Sequence, residues 1–237
     1  MKILAIDSSG LVASAAVLED GLLLAEYTVN YKKTHSQTLL PMIDEISRML
    51  ELDLNSLDAI AVAGGPGSFT GLRIGSATAK GLGLALDKPL ISVPTVDALA
   101  YNFCGTERLI CPMMDARRSQ VYTGLYRFRG EEFQVVLPQR AEGVEKMAER
   151  LNQMGESVIL LGDGAAVYEN RLKELLAVPW IMAPAHLNRQ RAGAVGALAE
   201  KYFAEGRLQT AAEHRPEYLR MSQAERERAA REGKDAV

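Results

Sequence analysis

Cysteine and histidine are scarce in this chain, and their scarcity removes whole classes of chemistry. Cys104 and Cys111 are the only thiols among 237 residues, too few and too loosely spaced for a thiolate zinc site. A reducing compartment disfavours joining them as a disulfide, so both are expected as small core residues. The three histidines, His35, His186 and His214, are scattered, and no close-spaced His/Asp/Glu cluster offers a metal site. Ser8, Ser9, Ser68 or Thr70 would need a nearby base to act as a nucleophile, and His35 is the sole histidine of the first half. In Thr34-His35-Ser36, at a helix start, a capping or surface role suits it better. Long apolar runs are also absent: none approaches the roughly 18 to 20 residues that span a bilayer. The start, Met1-Lys2-Ile3-Leu4, enters a strand without a signal-peptide pattern, so cytoplasmic residence and no membrane contact are expected. Charge of one sign is lacking too. With 27 basic against 30 acidic residues the net charge is −3, which gives no overall field favouring nucleic acid. The local pairs Lys32-Lys33 and Arg117-Arg118 read as solvated loop charges within reach of phosphates.

What the chain does have is glycine in a telling place. Residues 64–75 read Gly64-Gly65-Pro66-Gly67-Ser68-Phe69-Thr70-Gly71-Leu72-Arg73-Ile74-Gly75, between a predicted strand at 57–63 and a predicted helix at 70–86. Such a turn leaves backbone N–H groups aimed one way, a common cradle for phosphate; it can equally be plain geometry. No Lys-Ser/Thr follows, so it is not a Walker loop, and it is not a dinucleotide fingerprint. Around it, hydrophobic alternation and Asp20-Gly21 predict three antiparallel strands at 2–7, 13–19 and 22–29. A helix at 36–51, a strand at 89–93 and a helix from Thr95 complete the first half. After residue 104 the pattern partly repeats: strands at 108–115, 120–128 and 132–137, an amphipathic stretch 141–154, a strand at 157–161 and a helix near 166–176. A Pro-rich stretch at 178–184 and a helix at 192–205 follow. The 48% hydrophobic content suffices for a real core.

The helices carry more apolar surface than one sheet needs. On 36–51, Leu39, Ile43, Ile46 and Leu50 form one stripe, and Leu40, Met42 and Met49 widen it. Pro41 is tolerable in the opening turn. On 70–86, Gly71, Gly75, Ala79 and Gly83 recur every four residues. Each interior glycine costs about 1 kcal/mol against alanine, which close packing must offset, either on the chain's own sheet or on a second subunit.

The order β-β-β-α-β-α-β-α resembles a domain of the actin-like ATPases, the superfamily of sugar kinases and acetate kinase. The resemblance implies an α/β fold of two actin-like (ASKHA, ribonuclease H-like) domains, 1–104 and a reduced 105–221. Helix 192–205 would cross back to the first, and a charged tail, 222–237, would follow. It also puts Asp7, Ser8 and Ser9 where the superfamily contacts phosphates, with Gly67, Ser68 and Thr70 as further candidates and Asp163 in a second, Gly-Asp-Gly turn.

Ile6-Asp7-Ser8-Ser9, Thr34-His35-Ser36, the run 65–75, Met114-Asp115-Ala116-Arg117-Arg118 and Pro216-Glu217-Tyr218-Leu219-Arg220 together resemble the TsaB (YeaZ) family, over residues 1–221. That family serves the machinery that makes threonylcarbamoyladenosine in tRNA, beside a catalytic relative, TsaD, and an ATPase, TsaE. The resemblance implies a non-catalytic subunit that forms a heterodimer with TsaD, or a homodimer when alone, and meets tRNA mainly through the complex. No cofactor is expected for this chain itself, with ATP or ADP bound within the complex. TsaD's metal-binding histidines fall on Thr95 and Leu99, neither of them a useful ligand. The implied partner interface comprises Leu39, Leu40, Ile43, Ile46, Gly71, Ile74, Gly75, Thr78, Ala79 and Leu82. The alternative reading is an autonomous ATP-dependent phosphotransferase using Asp7-Ser8-Ser9 and the 64–70 loop.

Overall fold

A computed structural model describes residues 1–31 and 34–220. The first three strands, β1 (Lys2–Asp7), β2 (Ala13–Glu19) and β3 (Leu22–Val29), form the expected antiparallel meander. Helix α1 (His35–Met49) leads to β4 (Ala59–Gly65), which pairs parallel to β1. Helix α2 (Phe69–Leu86) then crosses to β5 (Leu90–Pro94), parallel to β4. The first sheet therefore runs β3-β2-β1-β4-β5.

Helix α3 (Thr95–Tyr101) joins this sheet to a second one. There β6 (Leu109–Arg117), β7 (Gln120–Arg129) and β8 (Glu132–Gly143) form another meander. Helix α4 (Val144–Met154) precedes β9 (Val158–Leu161), and the short helices α5 (Asp163–Val167) and α6 (Glu169–Leu175) precede β10 (Trp180–Met182). The order β8-β7-β6-β9-β10 repeats that of the first sheet strand for strand. This is the doubled architecture expected of an actin-like protein. The reduction of the second half falls on its helices and on β10, only three residues long, and not on its strand number. The Pro-rich stretch holds β10, and β8 continues twelve residues where only six were expected, through Pro138 and three polar residues. The charged tail 222–237 lies outside the described residues.

Helix α7 (Ala192–Ala204) returns to the first sheet, as expected. Its Ala192, Val195, Leu198 and Ala199 pack on Ile3, Ala5, Ala16 and Leu18, covering one face of that sheet. The other face carries α1 and α2, with Leu39, Ile43, Ile46 and Ala79 against Leu4, Ile6, Val17 and Val62. Each such Leu or Ile taken from water contributes about 1.5–3 kcal/mol. Gly196 is where α7 comes closest: a Cβ there would lie 2.1 Å from Leu18 Cδ1.

Candidate functional site

The glycine-rich turn joins β4 to α2 directly beside the tip of the β1–β2 hairpin. Cβ atoms on Gly67 and Gly71 would lie 2.3 and 2.0 Å from the carbonyl oxygens of Ser9 and Ser8, so only glycine permits this approach. Ser68 N–H donates to Ser9 O at 2.6 Å, and the Ser8 hydroxyl donates to Gly71 O at 2.8 Å. Ser68 also caps α2, its Oγ accepting from Gly71 N–H at 3.3 Å. Asp7 is 1% exposed, and its Oδ1 accepts from both the N–H and the hydroxyl of Ser9. Burial pushes its carboxyl up to about 6, against the hydrogen bonds from Ser9 and the nearby His35, which pull it down. The six phosphate-contact candidates thus gather in one place, but there Asp7 and Ser9 bond each other, and Ser8 and Ser68 bond Gly71. Thr70 is exposed in the first turn of α2.

His35 does not cap its helix through a side chain at the Ncap; its Nε2 lies 2.9 Å from Gly10 O, tying α1 to the hairpin tip. Because Gly10 O can only accept, Nε2 carries the proton. Gln190, 3% exposed, lies on the other side of Gly10, 2.9 Å from where a Cβ would stand. His35 Nδ1 and Gln190 Nε2 are buried without hydrogen-bond partners among the described residues.

A strap that sequence reasoning did not place closes the turn from outside. Beyond α7, Gln209 forms an antiparallel bridge with Leu90 on edge strand β5. Lys80 on α2 then donates to His214 O at 3.1 Å. Further on, Glu217 N–H donates to Gly64 O at 2.7 Å, and a Cβ on Gly65, whose φ is +114°, would strike Glu217 O at 2.2 Å. Tyr218 packs on Phe69 with ring centroids 4.5 Å apart, and the Arg73 guanidinium lies over the Phe69 ring, 4.1 Å from its centroid. Arg220 donates to Ala116 O at the end of β6. The strap therefore links the glycine turn to the second sheet. The only signal in the sequence was the 216–220 motif itself, which carries no periodicity to say where it docks.

The expected partner interface needs correction. Leu39, Ile43 and Ile46 are buried on the first sheet. Gly71, Gly75 and Ala79 are buried as well, and a Cβ on Gly75 would lie 2.5 Å from Ser8 Oγ. The glycine ridge packs inward, because α2 must approach the β1 tip closely. What remains on the outside is Leu40, 53% exposed, with half-buried Ile74, Thr78 and Leu82. Beside them lie exposed Ala77, Gly81 and Leu84, the last 72% exposed.

Thr95 and Leu99, where the resemblance implied that a relative's metal-binding histidines would fall, are both buried. Thr95 Oγ1 accepts from Gly65 N–H at 3.1 Å, and Leu99 packs with Val96, Ile110 and Ile159. Among the described residues no three His, Cys, Asp or Glu side chains are grouped to hold a metal ion. Asp163 Oδ1 accepts from Asp115 N–H and Gly164 N–H, pinning the second glycine turn to β6. Cys111 is buried, as expected, and its thiol is pushed up to about 12 by desolvation; Cys104 is exposed, against expectation. No helix among the described residues is long and apolar enough to cross a membrane.

Comparison with known proteins bears on the whole of this arrangement. The family model described as "TsaD: tRNA N6-adenosine threonylcarbamoyltransferase" matches residues 23–228. The "tRNA threonylcarbamoyladenosine biosynthesis protein TsaB" of Bacillus subtilis is 32% identical over 95% of this chain and 96% of its own length. The solved structure of YeaZ from Pseudomonas aeruginosa superposes with a TM-score of 0.79 at 29% identity, covering 92% of this chain and 99% of that one. Ethanolamine utilization protein EutJ from Carboxydothermus hydrogenoformans shares the fold alone, at a TM-score of 0.50 and 12% identity over 83% of this chain and 89% of its own. With the glycine turn, the doubled sheet and full-length similarity in agreement, the chain belongs to the TsaB (YeaZ) family of tRNA threonylcarbamoyladenosine biosynthesis proteins.

Proposed function

We propose that this chain is a non-catalytic scaffold subunit that docks on TsaD through the outer face of α1 and α2, holding TsaD in its active geometry and offering a seat for TsaE. The observation that carries the reading is that outer face. Leu40, Ile74, Thr78, Leu82 and Leu84 flank Ala77 and Gly81 on it, and a Cβ added at Gly81 would meet nothing within 4 Å. Small residues between larger apolar ones let a second pair of helices approach closely. The same face suits a homodimer when TsaD is absent. Thr95 and Leu99 in place of ligands support a chain without TsaD's metal, which leaves transfer of the threonylcarbamoyl group to the partner. Nucleotide, on this reading, is bound within the complex and not required by this chain.

Light scattering of the chain alone and mixed with TsaD, followed by transfer assays omitting each component, tests this. A heterodimer whose activity requires both proteins, and none from this chain alone, is the expected result. Gly81→Trp is expected to weaken association at least tenfold while leaving the melting temperature of the isolated chain unchanged. No association, together with ATP turnover that Asp7→Ala abolishes, would overturn the scaffold reading in favour of a phosphotransferase.

A further inference from the structure

Beside the glycine turn lies a surface that the docking face does not use. Arg73 sits over Phe69, Phe69 packs on Tyr218, and Arg220, two residues on, reaches Ala116 O and, at 3.4 Å, Arg117 O. The β6–β7 turn presents Arg117 and Arg118, both exposed. These contacts make one continuous face from α2 through the strap to the second sheet. No carboxylate lies within ion-pair distance of Arg73, Arg117, Arg118 or Arg220 among the described residues. Arg48, Arg127, Arg150, Arg171, Arg191 and Arg207 each hold one, while Arg108, Arg129, Arg140, Arg189 and Arg215 hold none among the described residues either; what marks the four is that contacts through Phe69, Tyr218 and Ala116 O join them in one place. The acids beside the face, Glu217 and Asp115, are engaged with neutral donors, accepting from Gln139 Nε2 and from Arg117 N–H, each at 2.8 Å.

The turn is also built at a cost. Arg117, Arg118 and Ser119 have φ of +62°, +56° and +58°, a region where each non-glycine residue costs about 1–2 kcal/mol. Glycine would relieve that cost but carries no charge. Guanidiniums without a carboxylate partner around a partly exposed Tyr218 ring match the chemistry of an RNA loop, with phosphates for the arginines and an unstacked base for the ring. An acidic protein surface would use the charges but not the ring.

We propose that this arginine and aromatic face is an RNA contact, through which the tRNA substrate touches this subunit as well as its partner. The proposal rests on the scaffold reading, since the face borders the N-terminal end of α2 and so lies beside the proposed docking seam.

Fluorescence anisotropy with labelled tRNA, from 50 to 200 mM salt, tests it on the chain alone and on its mixture with TsaD. In the mixture, Arg117→Glu/Arg118→Glu is expected to weaken tRNA binding at least tenfold and to reduce the slope of log affinity against log salt by about two. Tyr218→Ala is expected to weaken binding about fivefold or more without changing that slope. Arg118→Gln, which reverses no charge, serves should the double variant fail to fold, with a slope lower by about one. Unchanged affinity and slope in a complex that assembles normally would overturn the RNA face while leaving the scaffold reading intact. Unchanged tRNA binding with weakened TsaD association would also overturn it and make the face a protein contact. If wild-type chain and TsaD do not associate, the scaffold reading fails, and the same shifts on the isolated chain decide the RNA face.

Discussion

The two sheets share a strand order yet finish their first hairpins in opposite ways. In the first, Asp7 accepts the N–H of Ser9; in the second, Asp115 accepts the N–H of Arg117 at 2.8 Å. Each aspartate turns the chain two residues on, at the end of the strand that occupies the same place in its sheet. Each tip also receives a glycine turn: Gly67 and Gly71 on Ser9 and Ser8, Gly162 and Gly164 on Met113 and Met114. Beyond that the likeness ends. The first tip buries Asp7, Ser8 and Ser9 beneath an 18-residue helix, whereas the second exposes Arg117 and Arg118 and meets a helix of only five residues. One backbone device therefore serves two purposes: closing a core in one half and presenting charge in the other.

The strongest way to break the closed tip is Gly71→Val. Its side chain would drive into Ser8 O, a backbone atom that cannot rotate away, and destabilisation of about 3 kcal/mol or more is expected in urea denaturation. Gly75→Leu is expected to lower folding stability in the same assay by a smaller amount, because its side chain would displace the Ser8 hydroxyl from Gly71 O and crowd Val62, where an external ridge would lower only association.

Asp7 offers a pH test of the same contrast. The folded state keeps the proton up to about 6, the unfolded chain only to about 3.8. Stability from this group is full below about pH 4 and is lost as the pH rises through 6, a change of about 3 kcal/mol. Asp7→Asn should flatten that stretch of the stability profile; an unaltered profile would mean that Asp7 folds as a carboxylate.

Tyr218→Ala is expected to cost about 1 kcal/mol and to speed hydrogen exchange at Glu217 N–H, which bonds Gly64 O. The smallest effect belongs to the open tip. Arg118→Gly should raise the melting temperature slightly, by the equivalent of at most about 1 kcal/mol, since relief at positive φ is partly offset by the entropy of glycine.

Much of this frame was legible in the sequence, and the gaps have physical causes. Asp20-Gly21 between alternating runs fixed the first hairpin, and the repeated run of strands predicted the second sheet. The spacing of Gly71, Gly75 and Ala79 showed that α2 has a close-packed face, but periodicity states that a face exists and not which way it points. The length of β8 was hidden by Pro138 and its polar neighbours, which read as a strand end, although an edge strand tolerates both. The strap was invisible because its bonds are made by backbone atoms of Glu217 and by single aromatic and arginine side chains. Of the site, Asp7, Ser8, Ser9 and the glycine turn were found from sequence; Gln190, in an irregular segment, and Gln139, in the part of β8 beyond Pro138, are isolated glutamines that gave no signal.

Helix α7 has a consequence for how such a chain is made. It is the last long helix among the described residues, yet it covers Ile3, Ala5, Ala16 and Leu18, residues that leave the ribosome first. At about 5–20 residues per second, the nascent first sheet waits on the order of ten seconds with one apolar face uncovered. A chain interrupted before Ala192 would carry that bare face permanently, so premature termination should yield a chaperone substrate and not a smaller working protein.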